Sequence, residues 1–239
     1  MLTNAAEVMR PIPQPTPLRK LRKKKVRMIK HVCFDLDGTL VDSKDTILES
    51  TKAALDRLNI TYKVDEDIFI NMIGMHFVDI FEELNIDVPD FEKFISIYKA
   101  FYFDFMNSSY LYPEVEETLR YLNERKVKVS LLTTKVQDQA EKIIDHFNLQ
   151  SSFNYLMGRR DGLAHKPSPE PLLYICKELK VEPAETIIAG DTELDIQCGK
   201  SAGSSTCGVL YGYRTKDQLE KEKPDFLISG LSELRKILD

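Results

Sequence analysis

The sequence predicts an α/β protein in which a parallel sheet carries helices on both faces and a helical segment is inserted into the chain. Two observations predict this class. After residue 30, short apolar runs alternate with segments of helical period, which is typical of a parallel sheet with crossover helices. One long interval, between the first apolar run and Val127, has only helical periodicity and therefore indicates a helical insertion.

The core is predicted from the apolar runs and the helical patterns between them. Near-continuous apolar strands are typical of a sheet buried on both faces, so we expect a Rossmann-like core. The strands are predicted at 31–35, 127–132, 153–157, 186–190, 204–209 and 225–228. The helices between them are predicted at 114–125, 137–147, 169–180, 193–201 and 231–238.

The insertion is predicted to form a helical cap. Segments that suit helices lie at 44–58, 65–72, 77–84 and 90–106. We therefore expect a core domain made of 28–42 and 113–239, and a cap domain made of 43–112. Because the insertion leaves and returns at the carboxyl edge of the sheet, it is placed to cover a site there.

The composition is that of a soluble globular protein. The chain has 239 residues, of which 43% are hydrophobic and 30% are charged, enough for one ordinary domain plus an insertion or for two small domains. No segment approaches the roughly 18 consecutive apolar residues of a membrane span, so we expect no membrane association. The four cysteines form no CxxC pair, which favours buried thiols and a cytoplasmic location.

The charge is distributed unevenly along the chain. Residues 1–30 carry nine Lys or Arg and one Glu, whereas the net charge of the whole chain is −5, so the remainder is strongly acidic. An acidic body argues against nucleic-acid binding by the core. Residues 1–27 are basic and proline-rich and are predicted to be disordered. This tail is interpreted as a targeting segment, as a basic arm for anionic partners, or as an over-long start with Met28 as the true first residue.

The most informative stretch of the chain lies at the end of the first predicted strand. There an apolar run leads directly into Asp35 and Asp37, which are followed by Gly38 and Thr39. Ligands of open α/β sheets bind just beyond the carboxyl ends of the strands. Unpaired carboxylates at the edge of a core are costly, so these two acids indicate a bound cation and a chemical role. A solvated turn rich in Asp and Gly is the alternative interpretation.

Further polar residues follow other predicted strands at the same edge of the sheet. Thr133 and Thr134 follow the second strand and have hydroxyls that can bond the oxygens of an anion. Asp191 follows the fourth strand, and Asp195 lies one helical turn later. Lys166 stands between these two groups, in a proline-rich stretch that holds its ammonium in place before a helix.

Together these residues indicate phosphoryl transfer, which needs a nucleophile in line with the phosphate, charge neutralisation and a proton donor. Asp35 is the expected nucleophile, which forms an aspartyl-phosphate, and Asp37 is the expected general acid and base. Asp35 and Asp191 are expected to hold Mg²⁺, which prefers oxygen ligands. Thr133 and Lys166 are expected to bind the remaining phosphoryl oxygens.

These residues resemble the motifs of the haloacid dehalogenase superfamily of phosphotransferases, and the resemblance covers nearly all of 28–239. The four motifs match, in order, Asp35-Leu36-Asp37-Gly38-Thr39, Thr133, Lys166, and the pair Asp191 and Asp195. The resemblance implies a central nucleophile strand and a helical cap. It also implies the Asp37 backbone carbonyl as a further metal ligand, and Asp195 as a metal or supporting carboxylate. The sequence departs from the family at Thr134, where Asn is usual.

The predicted function is that of a Mg²⁺-dependent phosphatase for a small phosphorylated metabolite similar to phosphoglycolate. Inorganic pyrophosphatase and nucleotidase are alternatives within the superfamily, and a sugar phosphomutase is a further one. A non-catalytic binding protein with this fold would be expected to lose the nucleophile, the acid or the metal carboxylate, all of which are present. We expect a monomer or a homodimer. His76, in the cap, is interpreted as a surface residue rather than a catalyst.

Overall fold

A computed structural model of the protein describes residues 28–238, so the basic tail predicted at 1–27 lies outside the described residues. The strands are β1 His31–Phe34, β2 Val41–Asp42, β3 Tyr110–Leu111, β4 Lys128–Val136, β5 Tyr155–Arg159, β6 Thr186–Gly190, β7 Ser205–Val209 and β8 Phe226–Ile228. The α-helices are α1 Lys44–Arg57, α2 Glu66–Met72, α3 Phe77–Glu83, α4 Phe91–Asp104, α5 Val115–Glu124, α6 Gln137–His146, α7 Glu170–Leu179, α8 Glu193–Ala202, α9 Lys216–Lys221 and α10 Leu234–Leu238.

The central sheet is parallel and has six strands in the order β5-β4-β1-β6-β7-β8. β1 is an inner strand that pairs with β4 on one side and with β6 on the other. The chain therefore winds outward from β1 in both directions, and ligands of such sheets bind where the strand order reverses. This sheet confirms the predicted α/β class and places Asp35, which follows β1, at the reversal point.

Side chains of the sheet alternate between two faces, and helices cover both. Val32 and Phe34 belong to a core shared with α5, α6 and α10, whereas Cys33 belongs to a second cluster formed with α7 and α8. All four cysteines are buried and free, in agreement with the sequence-based prediction. Within 28–238, no helix combines the length and the apolar character that crossing a membrane requires.

Helices α1–α4 lie in the interval for which the sequence predicts the cap. The chain enters them after β2 and leaves them through β3, and these two short strands pair antiparallel, so the two connections run side by side. α1 packs along α4. The rings of Phe77, Phe94 and Tyr98 lie 4.7–6.0 Å apart and form an aromatic core between α3 and α4. The limits of the two domains stay a prediction.

β4 is longer than its sequence predicts. The apolar run ends at Leu132, but the strand continues to Val136 because its register against β5 shifts and Val136 pairs with Arg159. Thr133 and Thr134 therefore lie within the strand, and the prediction that they follow it is wrong. This extension carries the next residue, Lys135, toward the inserted helices.

Two short elements have no clear signal in the sequence. The β2–β3 ladder has two residues in each strand, too few to show a period. The six-residue helix α9 likewise shows no amphipathic repeat, and it is stabilised instead by a capping box between Thr215 and Gln218.

The first residue of β1 is a histidine with no exposed surface. The ring of His31 lies 2.8 Å from the hydroxyl of Ser130 on β4 and 3.1 Å from the hydroxyl of Thr186 on β6, so it bridges the three central strands. Burial lowers the pKa of His31 from 6.5 to about 3. The ring is therefore expected to be neutral in the folded protein between pH 5 and pH 7.

We predict that His31 makes the protein less stable as the pH falls below 6.5. Between pH 6.5 and 3 the unfolded chain binds a proton at His31 that the folded protein does not bind. The free energy of unfolding is therefore unaffected by His31 above this range and falls as the pH is lowered through it. From pH 7 to pH 5 the free energy of unfolding should fall by about 2 kcal/mol more in the wild type than in His31→Asn. Denaturant titrations at both pH values measure this difference. Equal pH dependence in the two proteins would contradict the prediction.

Candidate active site

Three buried carboxylates meet at the carboxyl edge of the sheet. Asp35 continues β1, where its N–H donates to the Ala189 carbonyl of β6 at 2.9 Å, while Asp191 directly follows β6. Asp35, Asp191 and Asp195 are buried, and none of these residues is more than 5% exposed. One oxygen from each lies within 4.8 Å of the others, which is the spacing of a metal site. The structure thus brings together three of the four acids that the sequence predicts at this edge, and Asp37 is not part of this group.

Burial makes these carboxylates hard to ionise without a partner. It raises the pKa of Asp35 well above its usual value; the charges of Asp195 and Asp191 raise it further, and Lys166 opposes the shift. Burial and the charge of Asp195 raise the pKa of Asp191 to about 7. Burial is the largest cause in both cases and repulsion between the carboxylates adds to it, so positive charge is what would stabilise the ionised cluster.

Lys166 supplies one such charge from within the protein. Its Nζ lies 2.8 Å from Asp35 Oδ1 and 2.6 Å from Asp195 Oδ1, and the side chain is buried. Burial alone would lower the pKa of this ammonium, but the two carboxylates raise it above its usual value. Lys166 therefore stays charged, and it fixes the separation of the two acids.

Asp195 is held by the start of α8 as well as by Lys166. Both the N–H and the hydroxyl of Thr192 donate to Asp195 Oδ2, at 3.2 and 2.7 Å. The carboxylate packs directly on the backbone of Gly190, where an added Cβ would lie 2.1 Å from Asp195 Cγ. A glycine at the end of β6 is thus required for this carboxylate to reach the site.

Asp191 is held by the loop that follows Asp35 and by the loop that follows β7. The hydroxyl of Thr39 donates to Asp191 Oδ1 at 3.1 Å, and the N–H of Tyr213 donates to Oδ2 at 2.9 Å. Gly38 lies between them with a φ of +79°, and a Cβ there would lie 2.2 Å from Asp191 Oδ2. The residues Gly38 and Thr39 that follow the acid pair therefore serve to position Asp191.

Asp37 is not part of the cluster of three carboxylates that Lys166 joins, and it has partners of its own. Lys135 Nζ is 3.1 Å from Asp37 Oδ2, and the hydroxyl of Ser43 donates to Oδ1. Lys135 also lies over the ring of Tyr102, 4.5 Å from its centroid. Sequence reasoning missed Lys135, because the apolar pattern predicts that this strand ends at residue 132 and no local signal marks Lys135 as a partner of Asp37.

The two threonines predicted to bind phosphate have different surroundings. Thr133 is buried, and its hydroxyl accepts from the N–H of Lys135 at 3.2 Å. The hydroxyl of Thr134 instead donates to the carbonyl of Gly74, in the inserted segment, at 3.3 Å. The phosphate-binding roles of both residues stay predictions, although Thr134 already links β4 to the insertion.

A cavity of about 360 Å³ opens between the inserted helices and the sheet edge. Asp37, Thr134 and Lys135 line it from the core. Its other wall is largely apolar and comes from the insertion, with Phe77, Ile80, Phe91, Ile95 and Tyr98 among its residues. This volume lies within the range of small-molecule sites.

The insertion is tied to the core beside this cavity. Arg214 is buried; it pairs with Glu193 at 2.8 Å and donates to the Ile73 carbonyl at 2.9 Å. Asn71, on α2, donates to the carbonyl of Tyr213 at 3.0 Å. These bonds hold the loop that follows α2 against the loop that positions Asp191.

The comparisons with known proteins agree with this geometry. The family model described as haloacid dehalogenase-like hydrolase matches residues 32–209, a range that contains every site residue named above except the loop residues after β7. The chain belongs to the haloacid dehalogenase-like hydrolase family. The resemblance inferred from the motifs is thereby confirmed, and the protein is an enzyme of the hydrolase class.

Relatives within the haloacid dehalogenase-like family carry two kinds of name. The chain is similar to pyrophosphatase PpaX of Anoxybacillus flavithermus, at 32% identity over 213 residues, covering 88% of this chain and 97% of the relative. It is 31% identical over 209 residues to a phosphoglycolate phosphatase of Aquifex aeolicus, covering 87% and 96%. The crystal structure of a predicted phosphoglycolate phosphatase from Haemophilus somnus matches with a TM-score of 0.77 at 26% identity, covering 89% and 99%.

We predict that Lys166→Met destabilises the protein by about 3–5 kcal/mol at neutral pH without divalent cations, because it leaves buried carboxylates without their partner. The loss should shrink as the pH falls below about 7, the pKa to which burial and the charge of Asp195 raise Asp191, because protonation removes a buried charge that lacks a partner. Lys30→Met is the matched control: Lys30 pairs with Glu185 at 2.8 Å but is half exposed, so less than about 1 kcal/mol should be lost. Denaturant titrations measure both losses, and similar values would contradict the prediction.

Proposed function

We propose that the protein is a Mg²⁺-dependent phosphatase that hydrolyses a small phosphomonoester through an aspartyl-phosphate on Asp35. The observation that carries this proposal is the buried cluster of Asp35, Asp191 and Asp195 with Lys166 at the reversal point of the sheet. A buried cluster of this charge has a structural cost that a binding site for a cation and a phosphate would explain.

The donor set of the cluster fits Mg²⁺. Carboxylate oxygens are the ligands that this hard cation prefers, and Asp35 and Asp191 offer them at the required spacing. Asp195 is a further oxygen donor, although it is bonded to Lys166 and Thr192. The Asp37 carbonyl is proposed as an additional ligand. When bound, the cation would neutralise the carboxylates and the negative charge of the phosphoryl group.

The residues of the site divide the reaction between them. A carboxylate oxygen of Asp35 attacks phosphorus as the bond to the leaving oxygen breaks, and Asp37 gives that oxygen a proton. Asp37 then takes a proton from water, which attacks the same phosphorus and releases phosphate and the Asp35 carboxylate. Lys166 and Thr133 bind the equatorial phosphoryl oxygens, where charge accumulates in the transition state.

The relatives' names support two substrate classes. Phosphoglycolate is our first candidate, and pyrophosphate is the second because relatives at the same identity are named pyrophosphatases. Nucleotidase and sugar phosphomutase activities are outcomes that the assays below distinguish. We further propose a cytoplasmic enzyme that acts as a monomer or a homodimer on a small metabolite rather than on nucleic acid.

We predict that Asp35→Asn lowers the rate of phosphate release by at least about 10³-fold, since it removes the attacking oxygen. The substitution preserves the size of the side chain, so the far-ultraviolet circular dichroism of the variant should match that of the wild type. The measurement is release of inorganic phosphate at saturating Mg²⁺. Turnover at the wild-type rate would exclude Asp35 as the nucleophile.

We predict that turnover of a substrate panel depends on Mg²⁺ and is abolished by EDTA, because the carboxylate cluster needs a cation to hold phosphate. The panel contains phosphoglycolate, pyrophosphate, nucleoside monophosphates and sugar phosphates. A strong preference for phosphoglycolate or pyrophosphate supports the proposal and names the substrate class. Isomerisation of a sugar phosphate without phosphate release would favour a mutase, and turnover unaffected by EDTA would contradict the metal role.

A further inference from the structure

Three basic side chains meet in the wall of the cavity and are not among the three clustered carboxylates or their partner Lys166. His76 comes from the residue before α3, Arg159 from the end of β5 and His165 from the loop just before Lys166. The rings of His76 and His165 lie 4.2 Å apart in an edge-on contact, and Arg159 Nη1 lies 3.2 Å from His76 Nδ1. No sequence pattern groups them, because His76 lies 83 residues before Arg159 and 89 residues before His165.

This basic cluster, defined as His76, Arg159 and His165, faces the same cavity as Asp37, the proposed general acid. All three side chains line the cavity that Asp37 also lines. The described lining contains two carboxylates, Asp37 and Asp79, and the first of these is paired with Lys135. Apart from Asp37 and Lys135, the residues that line the cavity include more basic side chains than carboxylates.

The cluster is arranged to receive hydrogen-bond acceptors. Arg159 donates to His76 Nδ1, so in that arrangement the proton of a neutral His76 ring is on Nε2, which can donate. The guanidinium keeps further N–H groups that suit the two oxygens of a carboxylate or phosphate. Burial and the nearby charges of His165 and Arg159 lower the pKa of His76, as expected for basic groups held together without an anion between them.

We infer that the basic cluster binds a second anionic group, carried by the leaving group of the substrate. This inference rests on the proposed phosphatase function and specifies its substrate class: a phosphate ester whose leaving group ends in a carboxylate or another phosphate. The apolar side chains of Phe77 and Tyr98 line the same cavity, where they can cover a short carbon chain. Since His76 belongs to the insertion and the other two residues to the core, such an anion would also join the two.

The decisive experiment compares two esters that differ in one group. 2-Phosphoglycolate ends in a carboxylate, and 2-hydroxyethyl phosphate has a hydroxymethyl group at that position. For the wild type we expect a higher kcat/KM with 2-phosphoglycolate. In Arg159→Gln the ratio of the two kcat/KM values should fall at least about tenfold, mainly through KM for 2-phosphoglycolate, because a charge-assisted hydrogen bond is lost. Arg159→Lys should restore part of the ratio.

Arg120→Gln is the matched control, because Arg120 is an exposed arginine on α5 that is not part of the cavity lining. It should leave the ratio unchanged. Equal losses for both esters in Arg159→Gln, or no loss for either, would overturn the inference. Pyrophosphate and methyl phosphate provide a second pair with the same logic, in case the preferred second anion is a phosphate.

Binding separates failure of this inference from failure of the proposed function. The affinities of Asp35→Asn for 2-phosphoglycolate, pyrophosphate and the two uncharged-end esters are measured by isothermal titration calorimetry. One outcome is that the wild type hydrolyses none of these compounds, but Asp35→Asn binds 2-phosphoglycolate or pyrophosphate more tightly than the two esters with uncharged ends. If adding Arg159→Gln removes that preference, the inference about the basic cluster stands and the phosphatase function fails. If hydrolysis occurs with no preference for a second anion, the phosphatase function stands and the inference about the basic cluster fails.

Discussion

The ion pairs of Lys166 are the interaction on which the rest of the site depends. Three carboxylates are buried within 4.8 Å of one another, and one ammonium lies between two of them. A cluster with this excess of negative charge cannot be ionised in a low-dielectric interior without further positive charge. The proposed Mg²⁺ would supply this charge, and the residues that hold the acids in place stabilise an arrangement that favours its binding.

The sheet explains how so much charge is brought to one place. β1 is flanked by β4 and β6, and all three present their carboxyl ends at one edge, so residues far apart in sequence converge there without long loops. The close approach then depends on missing side chains: Gly38 lies against Asp191, and Gly190 lies against Asp195. The site is thus as much a consequence of backbone packing as of the acids themselves.

Asp35, Asp191 and the parallel sheet could be predicted because their signal is local: an apolar run, then a polar residue at its end. Lys166 has a different local signal, the proline-rich stretch around it. Lys135 and Tyr213 could not be predicted, since their roles depend on contacts with Asp37 and Asp191 that only the folded chain creates. The extension of β4 could not be predicted either, because its last residues are held by pairing with β5 and show no strand pattern of their own. His76 is a related case. In the sequence it is interpreted as a surface residue, and only its position beside Arg159 in the folded chain suggests a role in binding an anion.

The boundary between insertion and core is where selectivity can act on the chemistry. Asp37 accepts a hydrogen bond from Ser43, the residue at which the chain enters the insertion, and pairs with Lys135, which contacts Tyr102 of α4. A shift of the insertion would therefore move His76 and the partners of Asp37, the proposed general acid. Binding energy from the far end of a substrate can in this way be used to align the proton donor, which raises the rate of the chemical step rather than only the affinity. A phosphate alone, which lacks that far end, would leave the alignment to the Arg214 and Asn71 bonds.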